Sequence, residues 1–230
     1  ALLQFDSAET AAEFLKCLLT AESALRLDPE SEELRRVAAD CALECGEFRT
    51  ALMHYRTLAD SSDDPDVLVQ IALCYELLFE YEKAAEAYQA AIELDPAHVF
   101  SYRRQIGILR EHLASPLEAQ HLLDEAVRQN PESIELRLLR ADGLVRKGRF
   151  DEALVEAEAA RQIDPQAVSP LLMVVRIVTR LDTPDSPQFQ QLKQDLLDAI
   201  DRESFDLRIL LALAEMEFRS GDIGETRNWL

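Results

Sequence analysis

Glycine is scarce in this chain, with 6 in 230 residues. No glycine-rich loop of the kind that cradles phosphates is present. Cysteine is also sparse. Cys41 and Cys45 lie one helical turn apart, but no Cys or His pair follows at a spacing that completes a four-ligand zinc site. The remaining cysteines, Cys17 and Cys74, stand where small residues are wanted, and all four read as small buried apolar groups. Unpaired thiols fit a reducing compartment, which favours the cytoplasm. The histidines, His54, His98, His112 and His121, are scattered. None stands with a nucleophile or carboxylate as a catalytic constellation requires. No catalytic residue, metal or cofactor is therefore expected. No apolar run reaches the length that crosses a bilayer, and no signal peptide is visible. Cations are in deficit, 24 Lys and Arg against 44 Asp and Glu, for a net charge of −20. Such a field repels phosphate backbones and argues against bulk nucleic-acid binding, while it attracts basic partners. No stretch alternates apolar and polar residues with period two over strand length, so no sheet is expected.

What is present is a repeat. Pro96, Pro131 and Pro165 are separated by 35 and 34 positions. Twelve residues before each proline stands an alanine (Ala84, Ala119, Ala153), and five before each stands another (Ala91, Ala126, Ala160). Between them fall Tyr88, Leu123 and Ala157. A period of this length marks a stack of supersecondary units, each too small to bury its own apolar face. Within residues 65–98, Leu68, Ile71, Ala72 and Tyr75 form one helical stripe. Tyr81, Ala84, Ala85, Tyr88, Ala91 and Ile92 form a second, after a break at Phe79-Glu80. Two amphipathic helices with a short turn make an antiparallel hairpin. Asp64-Pro65 and Ser186-Pro187 supply a capping side chain followed by proline at the first helical position. Gly46, Gly148 and Gly221 fall at turns, where a residue without Cβ takes positive φ.

This pattern resembles the tetratricopeptide repeat, with Leu68, Ile71-Ala72, Tyr75, Ala84, Tyr88, Ala91 and Pro96 at its signature positions. The resemblance implies an all-α fold, a right-handed α-α superhelix of about six antiparallel helix pairs with incomplete terminal ones. The units fall at about 5–31 (partial), 32–64, 65–99, 100–133, 134–167, 168–206 with a lengthened turn from Asp182 to Pro187, and 207–230 (partial). Arg103 and Arg110 in one unit, and Arg137 and Arg140 in the next, stand at slots where the family has apolar residues. The chain lacks an initiator methionine, opens close to a helix and stops inside one, so it reads as a piece of a longer protein.

In this family the first helix of each unit lines a concave groove for peptides or partner helices. Carried over, the groove positions are Arg36, Val69, Gln70, Leu73, Leu77, Arg104, Gln105, Ile108, Leu138, Asp142 and Arg176, with His112 beside them. Arginines along an apolar strip suit carboxylates or backbone carbonyls. A clamp for acidic C-termini, known in some relatives, is not reproduced: the corresponding positions hold Arg36, Asp40, Gln70, Ser101 and Gln105. The expected function is a non-catalytic scaffold for a protein or peptide partner, with Arg104→Glu weakening binding and leaving the helices intact. Self-association through terminal repeats, with Trp229 and Leu230 on an uncovered edge, is a second reading. A recruiting segment of a larger enzyme is a third.

Overall fold

The computed structural model describes residues 2–181, 183–202 and 206–221, with residues 2–9 and 201–202 as backbone alone. Trp229 and Leu230, and with them the expected terminal edge, lie outside the described residues, as does Asp182. The chain divides into two compact units, 1–129 and 130–230. All regular structure among the described residues is helical. The first unit holds α1 (Leu2–Leu25), α2 (Glu32–Glu44), α3 (Phe48–Ala59), α4 (Pro65–Leu77), α5 (Tyr81–Leu94), α6 (Val99–Glu111) and α7 (Pro116–Gln129). The second holds α8 (Ile134–Arg146), α9 (Phe150–Ile163), α10 (Val168–Leu181), α11 (Pro187–Arg202) and α12 (Leu207–Ser220). Within each unit every helix packs on its neighbours in sequence, as hairpins stacked in a row require.

The caps form as their sequences dictate. Asp64 accepts the Asp66 amide at 3.0 Å, and Ser186 accepts the Phe189 amide at 3.1 Å. Each satisfies a backbone donor that the first turn leaves without a partner. Where first and second helices meet, Ala72, Ala84 and Ala91 are wholly buried around Tyr88. Small residues let the axes approach, and the tyrosine ring fills the space beside them. In the second unit α10 is the central element. Its Leu171, Val174, Val175, Ile177 and Val178 form one core with Phe189, Leu192 and Leu196 of α11 and with Ile209, Leu213 and Met216 of α12.

The four arginines at apolar slots have two separate explanations. In the 100–133 unit the register is one residue earlier than the following proline implies. Tyr102, Ile106 and Leu109 are buried, and Arg103 is exposed. The extra residue of the 35-residue interval sits in a four-residue turn, 112–115, where the α2–α3, α4–α5 and α8–α9 hairpins have three. Ala114 takes φ of 49° there. In the next unit Arg137 and Arg140 do lie against the second helix. Both pair with the mostly buried Glu156 of α9, Arg137 at 3.3 Å and Arg140 closer. The charge is thus compensated inside the hairpin, as burial demands.

His54 of α3 is 4% exposed, and neither ring nitrogen has a hydrogen-bond partner among the described residues. Glu22 stands 3.8 Å away, within ion-pair reach and beyond a hydrogen bond. Burial pushes the imidazole pKa down, and the Arg35 charge adds to this against the opposing pull of Glu22. The unfolded chain therefore binds the proton more readily than the fold does. Stability is expected to fall as pH drops below the ordinary histidine value of about 6.5. His54→Leu should flatten that slope in urea titrations at a series of pH values. A difference between wild type and variant that stays constant with pH would remove His54 as its source.

Candidate functional site

The first-helix face of the first unit is built by α4 and α6. Leu73 is half-buried and Leu77 is 43% exposed, so α4 keeps apolar surface available. Arg104 of α6 reaches back to Glu76 of α4, with Nε donating at 3.0 Å and Nη2 closer still. The Tyr88 hydroxyl donates to the same carboxylate at 2.6 Å. Glu76 thus ties its own second helix to the next hairpin. A two-pronged guanidinium contact of this kind fixes geometry as well as charge.

Beside this bridge lies a cavity of about 200 Å³, lined by Glu76, Arg103, Arg104, Gly107, Ile108, Glu111 and His112. Gly107 forms part of its wall. A Cβ added there would meet no heavy atom within 4 Å, so close helix packing does not explain the glycine. At the cavity edge His112 stacks on Tyr81, with centroids 3.7 Å apart and planes at 6°. Tyr81 in turn meets Phe79 edge-on, at 6.3 Å and 76°. Phe79 is 75% exposed and holds φ of 60°. In the other three-residue hairpin turns the equivalent positions are Gly46 and Gly148, at φ of 84° and 73°, and the longer α6–α7 turn places the small Ala114 there. A bulky residue in this left-handed region is a strained choice where glycine is free of cost.

The predicted groove residues divide by environment. Gln70, Leu73, Leu77 and Arg104 lie on α4 and α6 with surface remaining, and Ile108, though 2% exposed, lines the cavity. Val69 is buried among Ala72, Ala84 and Tyr88. Gln105 is 8% exposed and lines a different cleft, described below. Arg36 of α2 pairs with Asp64 at 2.9 Å. In the second unit Leu138 is half-buried, and Asp142 of α8 accepts from Arg176 of α10 and Arg146, both at 2.6 Å. Burial works to raise the Asp142 carboxyl pKa, but the two guanidiniums outweigh it and hold it below the usual range. The arginines read from the sequence as contacts for a visitor therefore already hold carboxylates of this chain. Arg104→Glu is corrected accordingly: it would set a second carboxylate beside the mostly buried Glu76 and disturb the fold as well as any binding. Glu76 and Phe79 were missed as site residues. A comparison of turns, Phe79 against Gly46 and Gly148, carried the signal for the second.

Helical hairpins stacked in a row define a class of helical-repeat proteins. Residues 65–98 and 115–174 match family models of the tetratricopeptide repeat. The chain is a tetratricopeptide repeat protein, and such repeats serve in general as protein-interaction scaffolds. Among solved structures, yeast Tom70 is similar at 20% identity and a TM-score of 0.59, over 95% of this chain and 54% of that one. This chain thus spans about half of Tom70's length. A tetratricopeptide repeat protein from Parabacteroides merdae is similar at 15% identity and a TM-score of 0.59, over 100% of this chain and 91% of that one. YrrB, described as a TPR protein with an unusual peptide-binding site, shows 19% identity and a TM-score of 0.54, over 84% of this chain and 96% of its own. At these identities the likeness is one of fold. No curated protein matches the chain significantly in sequence.

Proposed function

We propose that this chain is a non-catalytic scaffold that takes an extended peptide or a partner helix across α4 and α6. The observation that carries the reading is Phe79, an exposed aromatic held in a left-handed conformation that the matching three-residue turns give to Gly46 and Gly148. Strain kept at an exposed position is intelligible if the side chain is used. Phe79, Leu77 and Tyr81 offer an apolar seat for a side chain of the visitor. The cavity over Gly107 admits a second, polar side chain between the Arg103–Arg104 and Glu76–Glu111 charges. YrrB, with its peptide-binding site, is a precedent for peptide capture on this fold.

Two variants separate binding from stability. Phe79→Gly relieves the left-handed strain, and Gly107→Leu improves helix propensity by up to about 1 kcal/mol while filling the cavity. Both are expected to keep or raise Tm. Both are also expected to weaken a peptide selected from a random displayed library by about tenfold or more, as loss of a central anchor does. Fluorescence anisotropy reads the affinity and circular dichroism the Tm. Undiminished affinity in both variants would refute the α4–α6 site.

A further inference from the structure

We infer that the first unit carries a second site, a cleft between α5 and α7 that receives an arginine-bearing basic peptide segment of a partner. The cleft has a volume of about 400 Å³. Its rim carries Glu82, Glu86 and Glu93 of α5 and Glu118 of α7. Among the described residues no cation of the chain pairs with any of these carboxylates. Its floor is apolar, with Ala85, Ala90, Leu109 and Leu113.

The feature that turns an acidic surface into a site is Gln105 of α6. It lines the cleft, is 8% exposed, and its Oε1 accepts from no group of the described residues. Its Nε2 donates to Gln89 at 3.3 Å, which leaves the buried carbonyl oxygen as the unsatisfied half of the amide. A buried acceptor without a donor is costly, and a ligand that donates to it recovers that cost. An arginine matches the whole cleft. Its methylene stem lies along the alanines and leucines, and its five N–H donors serve Gln105 Oε1 and rim carboxylates together.

The acidity is local and not a reflection of composition alone. The preceding cleft, between α3 and α5, has a volume of about 510 Å³ and is lined by Arg49, Arg56 and Lys83 against Asp60 and Glu80. Adjacent clefts of one unit thus carry opposite signs, and only the α5–α7 cleft adds the unsatisfied carbonyl.

The test titrates a fluorescein-labelled peptide with three spaced arginines against the full chain, and the same peptide with alanine or glutamate in their place. Anisotropy at low and physiological ionic strength reads the affinity. The arginine peptide should bind and the other two should not. Glu86→Gln with Glu93→Gln should weaken it by about tenfold. Gln105→Leu, which changes no charge, should weaken it by a similar factor of about ten. The pair Glu44→Gln with Glu47→Gln removes the same charge away from the cleft and should leave affinity unaltered, as should Gly107→Leu. Equal weakening by the Glu44/Glu47 pair would mean attraction by bulk charge and would overturn the site. So would undiminished binding by the Glu86/Glu93 variant, whose exposed positions leave folding unaffected.

Discussion

Tyr88→Ala is expected to lower the unfolding free energy by about 3–5 kcal/mol. The ring is wholly buried, and alanines surround it at Ala72, Ala84 and Ala91. The alanines cannot reach into the vacated space, and Val69 and Ile108 of the same cluster are β-branched with few rotamers, so the void persists and the upper part of the range applies. The hydroxyl adds a further loss, because Glu76 gives up its 2.6 Å donor and keeps Arg104 alone. Tyr88→Phe isolates that part and should cost about 1–3 kcal/mol, the range for a mostly buried acceptor deprived of one donor. Urea unfolding followed by circular dichroism gives the totals. In a repeat array the damage is local, so hydrogen exchange should accelerate in α4, α5 and α6 and change little in α10 to α12. A loss below about 1 kcal/mol, the ordinary value for an arbitrary substitution, would mean that the hairpin collapses around the missing ring.

Phe189→Ala carries an expected loss of similar size, about 3–5 kcal/mol. Phe189 stands in the first turn of α11 with no exposed surface. It belongs to the same core as Val174 and Val178 of α10 and Leu213 of α12. These are β-branched or firmly packed side chains with few alternative rotamers, so repacking into the hole is limited. Its amide is also held by the Ser186 cap, which fixes where the ring enters the core. Faster exchange should appear across α10, α11 and α12, with α2 to α5 unaffected. Acceleration in α2 to α5, or none in α10, would contradict a core confined to the second unit.

Much of the fold was legible in the sequence because hairpin repeats are local. Proline and small residues at fixed offsets report the turn and the close helix approach directly, and Ala84, Ala91, Tyr88 and Phe189 occupy the places their spacing demanded. Where the interval grew to 35 residues, spacing alone could not place the extra residue. Counting back from Pro131 put Arg103 and Arg110 in apolar slots, whereas the chain inserts its extra residue in the turn and keeps Tyr102 and Leu109 inside. The candidate face was less legible. Arg36, Arg104 and Arg176 looked available for a partner, yet each finds its carboxylate 28 or 34 residues away, in a neighbouring hairpin.

The sequence by itself determined that this chain forms paired helices in a repeating row, because period, caps and small-residue positions are properties of segments shorter than one unit. Only the tertiary structure decided which charges are consumed within the chain. Ion pairing and burial depend on side chains brought together from different hairpins, and no periodicity along one segment records the distance between them.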